Sequence, residues 1–177
     1  MLRDDPIINV VHGGIRKGIN ATVENGCLGS AVILILSAID AMAYLCMPES
    51  QQDVTGRDFI GWAKKYICFP GREQLTGEDL YGARCAMLHS YGVRSRMSRE
   101  GKCRVIGYMD ESIPPIRYNP EVSKEVVLVS VAALRDALLE GIDRFLVDIY
   151  KNPHSKEAKL ADERFKTLVH SYPTKEL

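Results

Sequence analysis

The stretch GCLGSAVILILSAIDAMAYLCM, Gly26 to Met47, constrains this chain more than any other. Nearly every position is apolar or small, and Asp40 is the only charge between Glu24 and Glu49. Such a run is long enough to cross a bilayer. However, a carboxylate near mid-bilayer costs roughly 2.5–3.5 kcal/mol on insertion scales. Ser30 and Ser37 add polarity, no basic cluster follows, and the rest of the chain offers no second span. The favoured reading is a buried central helix, with a membrane anchor as the alternative. A helix apolar on nearly all sides needs neighbours all round, in its own bundle or across a dimer interface. Asp40 within it must be paired or hydrogen-bonded, so a cationic partner is expected.

The chain has 177 residues, of which 46% are hydrophobic and 26% charged. That is enough to bury the core of one domain spanning 1–177. The net charge of +0 argues against a globally basic nucleic-acid binder, so any such role falls to a local patch. The five cysteines are scattered and form no C-x-x-C pair, which fits a reducing cytoplasm better than a zinc site or a disulfide framework. MLRDDPIINVVHGG carries early acids and no long apolar core, unlike a secretory signal. A cytoplasmic protein outside the membrane, with no metal and no cofactor, is expected.

Along the chain, the first dozen residues read as an irregular lead-in, followed by a helix from about Ile15 to Met47 that Pro48 stops. Gly26 and Gly29 mark places where that helix bends or another backbone approaches closely. TGRDFIGWAKKYI at Thr55 and TGEDLYGARCAMLH at Thr76 share a start: threonine, then an acid three residues on, the pattern of a capping box. Gly92 is the expected C-cap of the second helix. The period then changes. CRVIGYM (Cys103–Met109) and EVVLVS (Glu125–Ser130) are short and rich in β-branched residues, so both read as strands. They form a two-stranded hairpin inserted over about 103–130, with the proline-rich SIPPIRYNPE as its loop. Val131, Leu134, Leu138, Ile142, Phe145 and Ile149 then mark an amphipathic helix that Pro153 breaks. A last helix runs from Ser155 to about Ser171, with Ala158, Ala161, Phe165, Leu168 and Tyr172 on one side. The expected class is mainly α, a helical bundle with a small two-stranded β insertion.

LYGARCAMLHSYG, Leu80 to Gly92, places polar groups on an otherwise apolar helix. Arg84 and His89 are five residues apart, about 140° around an ideal helix, a gap that a long arginine spans. Histidine near neutrality gives or takes a proton, and arginine offers a planar fork of donors to a phosphate. Together they are a minimal kit for cutting RNA without metal. The plain structural alternative is a helix-end histidine beside a snorkelling surface arginine. Asp40 either orients this pair or makes a structural salt bridge. VRSRMSREGKCR follows directly and sets Arg94, Arg96, Arg99, Lys102 and Arg104 against Glu100. These are candidates for phosphate-backbone contact, or else a solvated strand edge kept positive. Cys85 lies four residues from His89, but no orienting acid follows, so a thiol enzyme has little support. His12, His154 and His170 stand alone, without metal-ligand spacing.

RCAMLHSY, Arg84 to Tyr91, has the form R-x4-H-x-Y and resembles the signature of the HEPN superfamily. Members of that superfamily are small helical bundles with a long apolar helix early and the motif on a later helix. Many are metal-independent ribonucleases whose motifs meet across a homodimer in one composite cleft. The resemblance implies that Arg84 and His89 are the catalytic pair and that RNA is the substrate. It implies an accessory place at the cleft for Asp40. Tyr91 takes the position that a partner nucleotidyltransferase modifies in toxin–antitoxin members. The residue after the arginine, often Asn, Asp or His in the family's nucleases, is here Cys85. The second reading is a non-catalytic helical module of the same fold that dimerises or binds RNA.

Overall fold

The computed structural model describes residues 5–111 and 113–170. The described chain begins helical rather than irregular. A π-helical segment, Ile7–Arg16, continues into α1, Lys17–Glu24. Val10, Val11 and Ile19 are buried from it, and this apolar face outweighs the helix-weakening pair Gly13–Gly14. The helix expected from Ile15 to Met47 is split in two. Gly26 adopts a left-handed φ of 70°, a conformation open to glycine without steric cost. The chain turns there, and α2 runs from Leu28 to Cys46.

α2 is the central helix. Among the described residues it is the one helix long and apolar enough to cross a membrane. It is packed by α1, by α3 (Gly56–Tyr66), by α4 (Gly77–Ser90), by α6 (Val131–Tyr150) and by α7 (Lys156–Phe165). Ala31, Val32, Ile35, Leu36, Ile39, Met42, Ala43 and Leu45 lie fully buried at these contacts. Each large one contributes roughly 1.5–3 kcal/mol by leaving water. The surrounded state required by its composition is thus met largely within one chain. Its open strip carries Ser30, Leu34 and Ser37. The last carbonyls of a helix lack partners, and here the buried Arg164 guanidinium donates to the oxygens of Leu45, Met47 and Pro48.

Both expected capping boxes form. Thr55 with Asp58 opens α3, and Thr76 with Asp79 opens α4. The glycine that follows each threonine serves a second purpose. A Cβ on Gly77 would sit 2.7 Å from the Ile60 carbonyl oxygen, and one on Gly56 would sit 2.6 Å from the Tyr81 ring. Each helix start is therefore bare where the other helix crosses it.

After α4 comes a single turn, α5 (Arg96–Arg99), and then the sheet. The sheet has three strands rather than the expected two, in the order β1-β3-β2. β1 (Val105–Met109) and β3 (Val126–Ser130) are the two strands read from sequence, but they run parallel. The connection from Asp110 to Glu125 is long enough for the crossover that a parallel pair needs, roughly a dozen residues. Part of it, β2 (Ile116–Arg117), pairs antiparallel on the far side of β3. The buried Ile116 draws the proline-rich loop in. Ser130 then ends β3 and caps α6, accepting from the Ala133 amide. The α6 stripe of Val131, Leu134, Leu138, Ile142 and Phe145 is buried as its spacing predicts. α7 buries Ala158, Ala161 and Phe165 and ends at Phe165, short of Ser171. Ser171 and Tyr172 fall outside the described residues.

Candidate active site

α2 and α4 pack against each other. α4 buries Leu80, Ala83, Ala86 and Met87 on its inner side. That packing turns Arg84 and His89 towards the edge of α2, where Asp40 sits. The Arg84 Nε donates to Asp40 Oδ2 at 2.8 Å. Arg84 Nη1 lies 3.5 Å from His89 Nε2. The two motif residues and the lone charge of the apolar helix thus meet at one place, and the arginine spans the helical gap as expected. The side chains of Arg84 and Asp40 retain 26% and 22% exposure, and His89 is exposed. The cluster lies at a partly open surface edge between α2 and α4.

A guanidinium has donors only. In its contact with Arg84, His89 Nε2 can therefore serve only as the acceptor. Burial works against the charge of Arg84, but the hydrogen bond and field of Asp40 outweigh it and hold the guanidinium above its ordinary range. Asp40 fixes Nε, while Nη1 and Nη2 face the histidine and solvent. This leaves a fixed positive fork next to a proton acceptor.

Two neighbours complete the cluster. Tyr81 lies one turn before Arg84. Burial first, and the Cys85 thiol second, raise its phenol above the ordinary value. Tyr81 was not singled out from sequence, although its spacing from Arg84 and Cys85 places all three on one side of α4. The other neighbour is Tyr91. It closes α4 with a left-handed φ of 51°, in place of Gly92, the expected cap. Its amide returns to the Met87 carbonyl at 2.9 Å. A bulky side chain at positive φ costs about 1–2 kcal/mol. It sets the ring, 64% exposed, over the start of α2. A Cβ on Gly29 would fall 1.9 Å from the Tyr91 hydroxyl.

No protein family, curated protein or solved structure matches this chain. The site is read from its own geometry.

The basic residues after α4 separate into different settings. Arg94, Arg99, Lys102 and Arg104 line an open cleft of about 710 Å³ along the flank of α4. Arg96 does not line it; its side chain is 84% exposed and pairs with Glu100 at 3.7 Å. Arg104 is committed elsewhere. Its Nη2 donates to Asp79 Oδ2 at 2.6 Å and to the Gln74 carbonyl at 2.9 Å, and its guanidinium lies 4.7 Å over the Tyr118 ring. Asp79 is 1% exposed. Burial pushes its carboxyl up, but the bonds from Arg104 and the Thr76 amide bring the net value below the ordinary one. Lys124, from the turn before β3, joins the cleft. It is one lysine in a polar turn, and nothing in the local sequence marks it. Among the described residues no group of three or more His, Cys, Asp or Glu side chains gathers as a metal site.

Proposed function

We propose that this chain is a HEPN-like, metal-independent endoribonuclease that works in the cytoplasm as a homodimer. The observation that supports this reading is the convergence of Asp40, Arg84 and His89 at one partly exposed edge. In this mechanism neutral His89 takes the proton of a ribose 2′-hydroxyl. The resulting oxygen attacks the adjacent phosphorus, and the bond to the 5′-oxygen breaks. The imidazolium returns the proton to that leaving oxygen. Arg84 carries the charge that builds on the phosphoryl oxygens, and Asp40 keeps its guanidinium in place. The products are a 2′,3′-cyclic phosphate and a 5′-hydroxyl. In a dimer built on the open strip of α2, two such edges would share one cleft. Tyr91, exposed beside Gly29, is the residue a nucleotidyltransferase partner would modify to silence it.

The second reading, an RNA-binding or dimerising module without catalysis, is favoured by one residue. Cys85 stands after Arg84 and turns to Tyr81, so the site lacks the amide or carboxylate often found there. The test is incubation of the purified protein with single-stranded RNA in EDTA, followed by end-group analysis. Cleavage leaving 2′,3′-cyclic phosphate ends, with the matching DNA oligonucleotide uncut, supports the ribonuclease. RNA that is bound but never cut selects the module.

A further inference from the structure

The cleft on the flank of α4 is walled by two separate segments of chain. One is the stretch after Tyr91, with Arg94, Arg99 and Lys102. The other is the turn before β3, with Lys124 and Glu125. Its carboxylates already have partners. Asp79 is bonded to Arg104, and Glu78 to Lys64 at 2.5 Å. Glu125 reaches Arg94 only at 4.0 Å, with side-chain exposures of 77% and 54%, a pair that exerts little hold. Lys102 is occupied by Glu100 at 2.6 Å. Among the described residues Arg99 and Lys124 form no ion pair. The cleft therefore presents Arg94, Arg99 and Lys124 as cations available to a ligand, with Asp79 and Glu78 already paired and Glu125 as its one loosely held carboxylate.

Among the described residues no aromatic side chain lines this cleft. Stacking platforms for bases are thus missing, while donors for phosphate are in place, and this combination suits a sugar–phosphate backbone rather than base readout. The chain itself links the cleft to the end of α4, the turn after His89. Arg94 follows Tyr91 by three residues, a reach of at most roughly 11 Å in extended chain.

We infer that this cleft holds the phosphodiester backbone of single-stranded RNA beside the Arg84–His89 pair, gripped by Arg94, Arg99 and Lys124. The inference rests on the ribonuclease reading for the identity of its ligand. Grip by phosphate contacts alone is insensitive to sequence and sensitive to salt. Each contact adds about 0.7 to the slope of log affinity against log salt for a single strand.

The experiment measures binding of the full chain to a fluorescent 2′-O-methyl RNA oligonucleotide, which has no 2′-hydroxyl to react, across a salt series. The triple variant Arg94→Gln, Arg99→Gln, Lys124→Gln is expected to flatten the slope by about 2 and to bind at least tenfold more weakly at low salt. A control that removes three exposed lysines on and after α7, Lys156→Gln, Lys159→Gln, Lys166→Gln, is expected to leave the slope unchanged. Retention of the wild-type slope by the cleft variant overturns the inference, as does an equal loss in the control. Binding that behaves as expected in a protein that never cuts natural RNA sinks the ribonuclease and leaves the cleft standing. Cutting without slope loss does the reverse.

Discussion

The protein contains two arginine–aspartate pairs that look alike in a list of contacts and serve opposite ends. Arg84 and Asp40 meet at 2.8 Å through Nε, at a partly open edge, with Nη1 turned to His89. Arg104 and Asp79 meet at 2.6 Å, with the carboxylate 2% exposed, Nε and Nη2 bonded to Asp79 and Gln74, and the guanidinium lying over the Tyr118 ring. The first pair keeps both partners partly open to solvent beside an exposed histidine. The second anchors the residue before β1 on a buried carboxylate at the start of α4. Residue type and charge do not separate the two pairs; the exposure of the carboxylate and the partners of the guanidinium do.

Substitutions break this comparison in order of size. His89→Ala and Arg84→Ala are expected to lower RNA cleavage by about 10²–10⁴-fold, the usual worth of a positioned proton-transfer group. His89→Ala should melt within a few degrees of wild type, since His89 is exposed, whereas Arg84→Ala also leaves Asp40 unpaired and should melt lower. Arg104→Ala is expected to cost about 3 kcal/mol of folding stability, because it leaves the Asp79 carboxylate buried and unpaired. Urea titration reads this directly, and a loss below about 1 kcal/mol would make Arg104 a surface cation. Asp40→Asn retains shape and loses charge. It should reduce the cleavage rate about tenfold, equivalent to about 1.4 kcal/mol, with little change in KM.

The smallest effect is the acid response. The carboxyl of Asp79 is held below its ordinary value, so its stabilisation is present above the unfolded value of about 3.9. It is lost as pH falls through the folded value. The stability gap between wild type and Asp79→Asn should therefore stay constant at neutral pH and narrow below about pH 4. A gap that widens in acid would contradict the assignment.

Much of this was legible locally. Thr55 with Asp58 and Thr76 with Asp79 announced two helix starts. The β-branched runs announced β1 and β3, and the α6 stripe announced its buried face. The composition around Asp40 required a cationic partner, and the spacing of Arg84 and His89 allowed their meeting. The remainder depends on distant pairings. The parallel order of β1 and β3 arises from β2, two residues long and hidden among prolines. Gly56 and Gly77 look like helix-start chemistry, and only the crossing of α3 with α4 shows what their missing Cβ atoms permit. Arg104 read as one more cation in a basic run, because its partner lies 25 positions back. Lys124 had no local signal at all. Tyr91 took the left-handed cap that Gly92 was expected to take, where its ring reaches Gly29.

The most direct measurement compares wild type, His89→Ala and Arg104→Ala in one cleavage assay. Each is incubated with single-stranded RNA in EDTA, at a temperature where circular dichroism shows all three folded. The account predicts cutting by wild type, none by His89→Ala despite an unchanged melting temperature, and cutting by Arg104→Ala within a few-fold of wild type despite a lowered one. Equal activity in wild type and His89→Ala would contradict it.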